Sequence, residues 1–221
     1  MRYVLVVWLL RPPGVYRPQE DTWFLAETLR TATTVRLGAK VLDVGTGTGV
    51  LAVTAARVGA GQVIAVDVSL RAVVAARINA KLRRLPVRVL RSDLVEAVAG
   101  ETFDVIVANP PDACSDDTGR AARAWSGGPD GRAVLDGLCS AAPGLLAPGG
   151  MFLVVQSTLC GVPSTLESLR SAGLKAAVIA RRRAQFGSVM RAGATQLEGR
   201  GLIGPSQRYE ELVVIRADRV E

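Results

Sequence analysis

The 221-residue chain contains no histidine. That absence removes Ser-His-Asp and Cys-His triads, His-ligated metal sites and imidazole general bases together. Cysteine is scarce: Cys114, Cys139 and Cys160 stand 25 and 21 residues apart, an odd number with no CxxC pair. Neither a zinc signature nor an even disulfide framework fits them, which points to reduced thiols in a cytoplasmic protein. Long apolar runs are missing too. The most apolar stretch, residues 3–10 (YVLVVWLL), is far too short to span a bilayer. It leads into Arg-Pro-Pro-Gly, with no small-residue cleavage site of the kind a signal peptide carries, and reads as a buried first strand or short helix. No membrane association is expected. No repeat, low-complexity tract or linker divides the chain.

What is present is an ordinary globular balance, with 49% hydrophobic and 21% charged residues. The length suits one domain with at most a small appendage. Lys and Arg exceed Asp and Glu by 27 to 20, a formal charge of +7. Short β-branched runs alternate with helical patterns, the signal of βαβ units around a parallel sheet. Strands are expected at 40–44, 62–66, 87–90, 103–108, 151–155, 176–180 and 211–216. Several are continuous apolar runs, as suits a sheet covered on both faces. Helices are expected at 21–31, capped by Asp21 or Thr22, and at 49–58, 69–82, 130–146 and 164–172. The last carries Ser164 and Glu167 in capping-box spacing. The fold class is therefore α/β: a doubly wound, seven-stranded, mostly parallel sheet with an antiparallel last strand. Residues 1–34 form an extension packed on the core and 35–221 the ligand-binding domain. The stretch 181–210, long for a loop and rich in Arg and Gly, is a functional flap or partly disordered.

The first strand runs into Asp43-Val44-Gly45-Thr46-Gly47-Thr48-Gly49. Glycines let such a turn leave the strand and bring backbone close to a ligand, and the next helix start offers free N–H groups. Asp67, ending the second strand, is placed to accept from two ribose hydroxyls. This much fits a nucleotide-like cofactor. The dinucleotide fingerprint GxGxxG wants glycine at position 50, where valine stands. After the third strand comes Ser92-Asp93-Leu94, where Asp93 faces an adenine amino group, or Ser92 or Asp93 caps a short helix. After the fourth comes Asn109-Pro110-Pro111-Asp112. The prolines stop the strand and stiffen the turn, and the Asn109 amide oxygen is an acceptor for the N–H of a planar nitrogen nucleophile.

On these residues the chain resembles class I S-adenosylmethionine-dependent methyltransferases carrying an NPPY-type motif, which methylate amide or exocyclic amino nitrogens. Val15-Tyr16-Arg17-Pro18-Gln19-Glu20-Asp21-Thr22 and Ala124-Trp125-Ser126-Gly127-Gly128-Pro129-Asp130-Gly131-Arg132 narrow it to the HemK2-like branch of protein glutamine N5-methyltransferases. The matches cover most of residues 15–156. The resemblance implies S-adenosylmethionine as cofactor, S-adenosylhomocysteine as product and no metal. It implies cofactor contacts at Thr22, Asp43, Gly45, Gly47, Gly49, Asp67, Val68, Asp93, Leu94 and Asn109. The catalytic turn would be Asn109, Pro110 and Pro111. It implies a protein acceptor such as a translation release factor, and a small activator subunit as a partner. Asp112 departs from the family pattern, which has an aromatic there to pack on the planar acceptor.

Two basic concentrations stand apart from this motif set. One is Arg77, Lys81, Arg83, Arg84, Arg88 and Arg91; the other is Arg181, Arg182, Arg183, Arg191 and Arg200. They are a solvated face or a surface for RNA or an acidic protein. Three functions follow in order: a protein glutamine methyltransferase, an N-methyltransferase of a nucleic-acid base or small metabolite, and a non-catalytic binding subunit.

Overall fold

The computed structural model describes residues 9–31, 35–111, 127–128 and 130–220. The expectations for 3–8, Asp112, Cys114, Ala124–Ser126 and Pro129 lie outside these residues. In chain order the elements are α1 (Glu20–Thr31), β1 (Lys40–Val44), α2 (Val50–Arg57), β2 (Gln62–Asp67), α3 (Leu70–Lys81), β3 (Val87–Arg91) and β4 (Phe103–Ala108). Then follow α4 (Ala133–Leu145), β5 (Leu146–Ser157), α5 (Val162–Ser171), β6 (Lys175–Gln185), α6 (Ser188–Ala192), α7 (Ala194–Gly199) and β7 (Tyr209–Asp218).

The seven strands form one sheet in the order β3-β2-β1-β4-β5-β7-β6. All neighbours are parallel except β7, which runs antiparallel to both β5 and β6. This is the Rossmann-like sheet expected of a class I methyltransferase. Successive strand residues point to opposite faces, and both faces are buried. Val41, Val63, Val105, Val107 and Val214 pack under α1, α2 and α3 through Leu25, Leu29, Ala52, Ala55 and Val73. Leu42, Ile64, Ile106, Phe152 and Ile215 pack on the other side against Leu135, Leu138 and Leu169 of α4 and α5. Chain order reverses between β1 and β4, and the crevice beyond their carboxyl ends is where such sheets take ligands.

Several boundaries differ from expectation for physical reasons. Helix α1 begins at Glu20, so Asp21 and Thr22 lie within its first turn, where they do other work. Helix α5 starts at Val162, after left-handed Gly161 and with Pro163 in its first positions. Ser164 is therefore inside the helix, and Glu167 accepts instead from the Ser171 hydroxyl at 3.1 Å. Helix α4 starts only at Ala133, after Arg132, and ends at Leu145 because Leu146 already pairs with Phe103. Strand β6 runs to Gln185, five residues beyond the expected end, paired with β7 as far as Tyr209. Residues 186–208 then carry α6, α7 and a small apolar cluster of Phe186, Ala194, Leu197 and Ile203.

Arg132 shows how the 127–132 turn is anchored. Its guanidinium donates to the Cys160 carbonyl, to the Gly161 carbonyl at 2.9 Å and to Thr165 Oγ1 at 3.1 Å, tying the start of α4 to α5. Among the described residues, no helix is long and apolar enough to cross a membrane.

Candidate active site

A cavity of about 630 Å³ opens at the switch between β1 and β4. One half is built on the glycine turn. Gly45, Gly47 and Gly49 all have positive φ, 70°, 55° and 87°, a region in which other residues are strained. The three have separate tasks. A Cβ on Gly47 would meet nothing within 4 Å, so its bare backbone faces open space, whereas one on Gly49 would press on Ala76 Cβ at 3.2 Å. Gly49 thus lets α2 pack on α3, and Gly45 and Gly47 line the cavity.

Asp43 sits behind this turn. Its Oδ2 accepts from Thr46 Oγ1 at 2.6 Å and from the Ala52 N–H at 2.9 Å, and its Oδ1 is buried without a partner. Complete burial pushes its carboxyl up to about 7. Asp43 does not line the cavity; it fixes the loop that does. Asp67 does line it, with Oδ2 accepting from the Gly47 N–H at 2.9 Å and Oδ1 from the Ser69 N–H at 2.8 Å. Desolvation raises its pKa above the ordinary carboxylate value, against these two backbone donors. Each oxygen keeps acceptor capacity for a hydroxyl. Val68, Asp93 and Leu94 join Asp67 along the wall, with Leu94 in the left-handed region at φ 45°. Ser92, not Asp93, caps the following 3-10 turn: its Oγ accepts from the Ala97 N–H at 3.0 Å, and the exposed Asp93 side chain borders the cavity.

The other half centres on Asn109, Pro110 and Pro111 at the end of β4. Asn109 Nδ2 donates to Asp21 Oδ2 at 2.9 Å and to Thr22 Oγ1 at 3.0 Å. A carboxylate only accepts, so this contact fixes which end of the amide is nitrogen. Asn109 Oδ1 is left as the outward acceptor. Asp21 is held in turn by the Tyr16 hydroxyl at 2.8 Å, which accepts from Gln19 Nε2 at 2.9 Å. Every member of this chain of hydrogen bonds lines the cavity. Phe186, Gly187 and Met190 close it from the β6–β7 connection, and Glu210 enters from β7.

The structure therefore gathers Thr22, Gly45, Gly47, Asp67, Val68, Asp93, Leu94, Asn109, Pro110 and Pro111 around one cavity, with Asp43 and Gly49 in support behind it. Sequence reading missed the roles of Tyr16, Asp21 and Glu210. The first two stand in a segment whose function emerges only when α1 meets β4, 88 residues away. An acidic residue opening an apolar strand was the one signal for Glu210. The basic concentrations are largely occupied elsewhere. Arg77 grips the Val89 carbonyl at 2.8 Å and Arg91 the Val68 carbonyl at 3.1 Å. Arg181 pairs with Glu211, and Arg182 with Glu27, each at 2.7 Å. Cys139 and Cys160 are buried, and burial pushes the Cys139 thiol up to about 11, so it is a packing residue.

The model of the methyltransferase small domain matches residues 7–183. The chain belongs to this family. It is a class I S-adenosylmethionine-dependent methyltransferase, related to protein N5-glutamine methyltransferases. It is 34% identical over 189 residues to a Methanocaldococcus jannaschii protein that carries the name putative protein N5-glutamine methyltransferase, covering 84% of this chain and 93% of that one. It is 30% identical over 171 residues to the mouse methyltransferase HEMK2, covering 73% of this chain and 80% of the relative. Among solved structures, it superposes on the E. cuniculi Mtq2–Trm112 complex with TM-score 0.67 and 23% identity, covering 93% and 99% of the two chains. At that identity the likeness is one of fold.

The cofactor this family implies fits the residues present. Thr48 Oγ1 is a buried hydroxyl without a partner on the cavity wall. Gly47 leaves space a Cβ would fill, and the first N–H groups of α2 lack carbonyls within the helix. When bound, S-adenosylmethionine supplies an electrophilic methyl on a sulfonium.

Proposed function

We propose that this chain methylates the side-chain amide nitrogen of a glutamine in a protein, of the kind found in translation release factors. The observation that carries the reading is the clamped amide of Asn109. Asp21 and Thr22 hold its nitrogen, so its oxygen is fixed as an acceptor for the NH2 of a planar carboxamide. With the Pro110 carbonyl, it would take both hydrogens of that NH2 and aim the nitrogen lone pair at the methyl. Holding two reactants at near-attack distance is the main help a protein can give such a transfer, and no histidine is needed for it. The same reading puts the cofactor against Gly45, Gly47, Asp67, Val68, Asp93 and Leu94, with the ribose on Asp67. It makes residues 186–208 a lid over the acceptor, since Phe186 and Met190 face the cavity.

The name of the Methanocaldococcus jannaschii relative supports a protein glutamine amide as acceptor. The E. cuniculi Mtq2–Trm112 complex is responsible for the methylation of the eRF1 translation termination factor, which supports a release factor as substrate and a second subunit as partner. The test is transfer of a radiolabelled methyl to a purified release factor and to its variant with the tip glutamine changed to alanine. Label on the first and not the second is expected. Label in a lysate that nuclease removes and protease leaves would replace this reading with the nucleic-acid one.

A further inference from the structure

Glu20, Asp21 and Glu210 all line the cavity; Glu20 is exposed, and the other two carboxylates differ in hydrogen-bonding capacity. Asp21 is spent: it accepts from Tyr16, from the Thr22 N–H and hydroxyl, and from Asn109. Glu210, only 9% exposed, borders the same cavity and accepts a hydrogen bond from the Ser157 hydroxyl at the carboxyl end of β5. No ion pair among the described residues includes it. Asp21 lines the same cavity, and desolvation first and the Asp21 charge second hold the Glu210 carboxyl above its ordinary pKa. A buried carboxyl with one hydroxyl donor and no cation is costly unless something in its pocket donates to it.

We propose that Glu210 is a specificity-determining residue of the acceptor site, taking a hydrogen bond from a main-chain N–H of the acceptor peptide beside the target side chain and repelling acceptors whose side chain carries a negative charge there. The inference rests on the glutamine reading and deepens it. Glutamine and glutamate have nearly the same shape, and they differ in whether the end donates or is charged. A pocket whose fixed groups are Asn109 Oδ1, Asp21 and Glu210 offers acceptors and negative charge, so it suits the amide and opposes the acid.

The experiment measures binding of two fluorescent peptides with S-adenosylhomocysteine present, one with a Gly-Gly-Gln tip and one with Gly-Gly-Glu. Wild type is expected to prefer the first by thirtyfold or more. Glu210→Gln should narrow that preference about tenfold, largely by gaining affinity for the Glu peptide, while S-adenosylhomocysteine affinity stays unchanged. A merely structural residue would not give such a gain. Should the Gln variant fail to fold, Glu210→Met, similar in volume and uncharged, must show the same narrowing. An unchanged preference in a folded variant overturns the inference alone. A wild type that neither binds nor methylates the Gln peptide overturns the glutamine reading, and this inference with it.

Discussion

Asn109 depends on a residue whose own hydrogen-bonding capacity is already spent within the protein. Its amide is oriented by Asp21, itself held by Tyr16. Asn109→Ala should abolish transfer while leaving cofactor affinity within about tenfold, or ~1.4 kcal/mol. Asp21→Ala removes a charge-assisted bond of about 1.5–3 kcal/mol. It should cut the single-turnover rate roughly 10- to 100-fold, and the double variant should lose no more than Asn109→Ala does. Full additivity would show that Asp21 acts on its own. Asp43 makes a different prediction, about pH. Its folded pKa of about 7 lies above the ordinary 3.8. Between those values the native state binds more protons than the unfolded one, so this group's stabilising contribution is complete below about 4 and lost as pH rises through 7. Urea denaturation at pH 5 and pH 8 should show a loss on the order of 3 kcal/mol from this group. Asp43→Asn, still able to accept from Thr46 and Ala52, should remove that part of the slope. Equal slopes in the two proteins would place the titration elsewhere.

Elements are legible where burial dictates pattern. The runs VIAV in β2 and FDVIVA in β4 sit in a sheet covered on both faces, and the apolar pattern places both within a residue of their ends. The second half of β6 is not legible, because Arg181, Arg182 and Arg183 read as loop. Its burial alternates along an edge, and its partner, β7, supplies the order. The site divides the same way: glycines and acids at strand ends follow from chain order, whereas the Asp21–Asn109 clamp needs two elements docked. Beyond Gln185 the chain has its own apolar cluster, with Leu159 and Met190 packed against it. Such a unit need not support the main core. Replacing 188–206 with a short Gly-Ser linker should leave folding and cofactor binding intact, since loop length costs little entropy. It should weaken acceptor use by about tenfold or more, because Met190 leaves the cavity wall. Unchanged turnover on the true acceptor would deny the segment its lid role.

At the scale of the whole molecule, the sheet order puts the cavity where chain order reverses between the parallel strands β1 and β4, between the two faces' cores. Residues at or just past the ends of β1, β2, β3 and β4 line the cavity, so occupancy should be felt as global stability. A ligand that binds only the native state adds about 2.7 kcal/mol at a hundred times its Kd. For a chain of this size each kcal/mol raises Tm by about 2–4 °C. S-adenosylhomocysteine at that excess should therefore raise Tm by roughly 5–10 °C. NAD should leave it where it is, because buried Val50 stands where the dinucleotide turn needs its third glycine. Asp67→Ala should cost at most a few kcal/mol of cofactor affinity and lower the S-adenosylhomocysteine shift at the same concentration. Scanning calorimetry of both proteins with both ligands decides this. A shift with NAD equal to that with S-adenosylhomocysteine would mean that the glycine turn reads only a nucleotide, and that the methyl donor is not what selects this pocket.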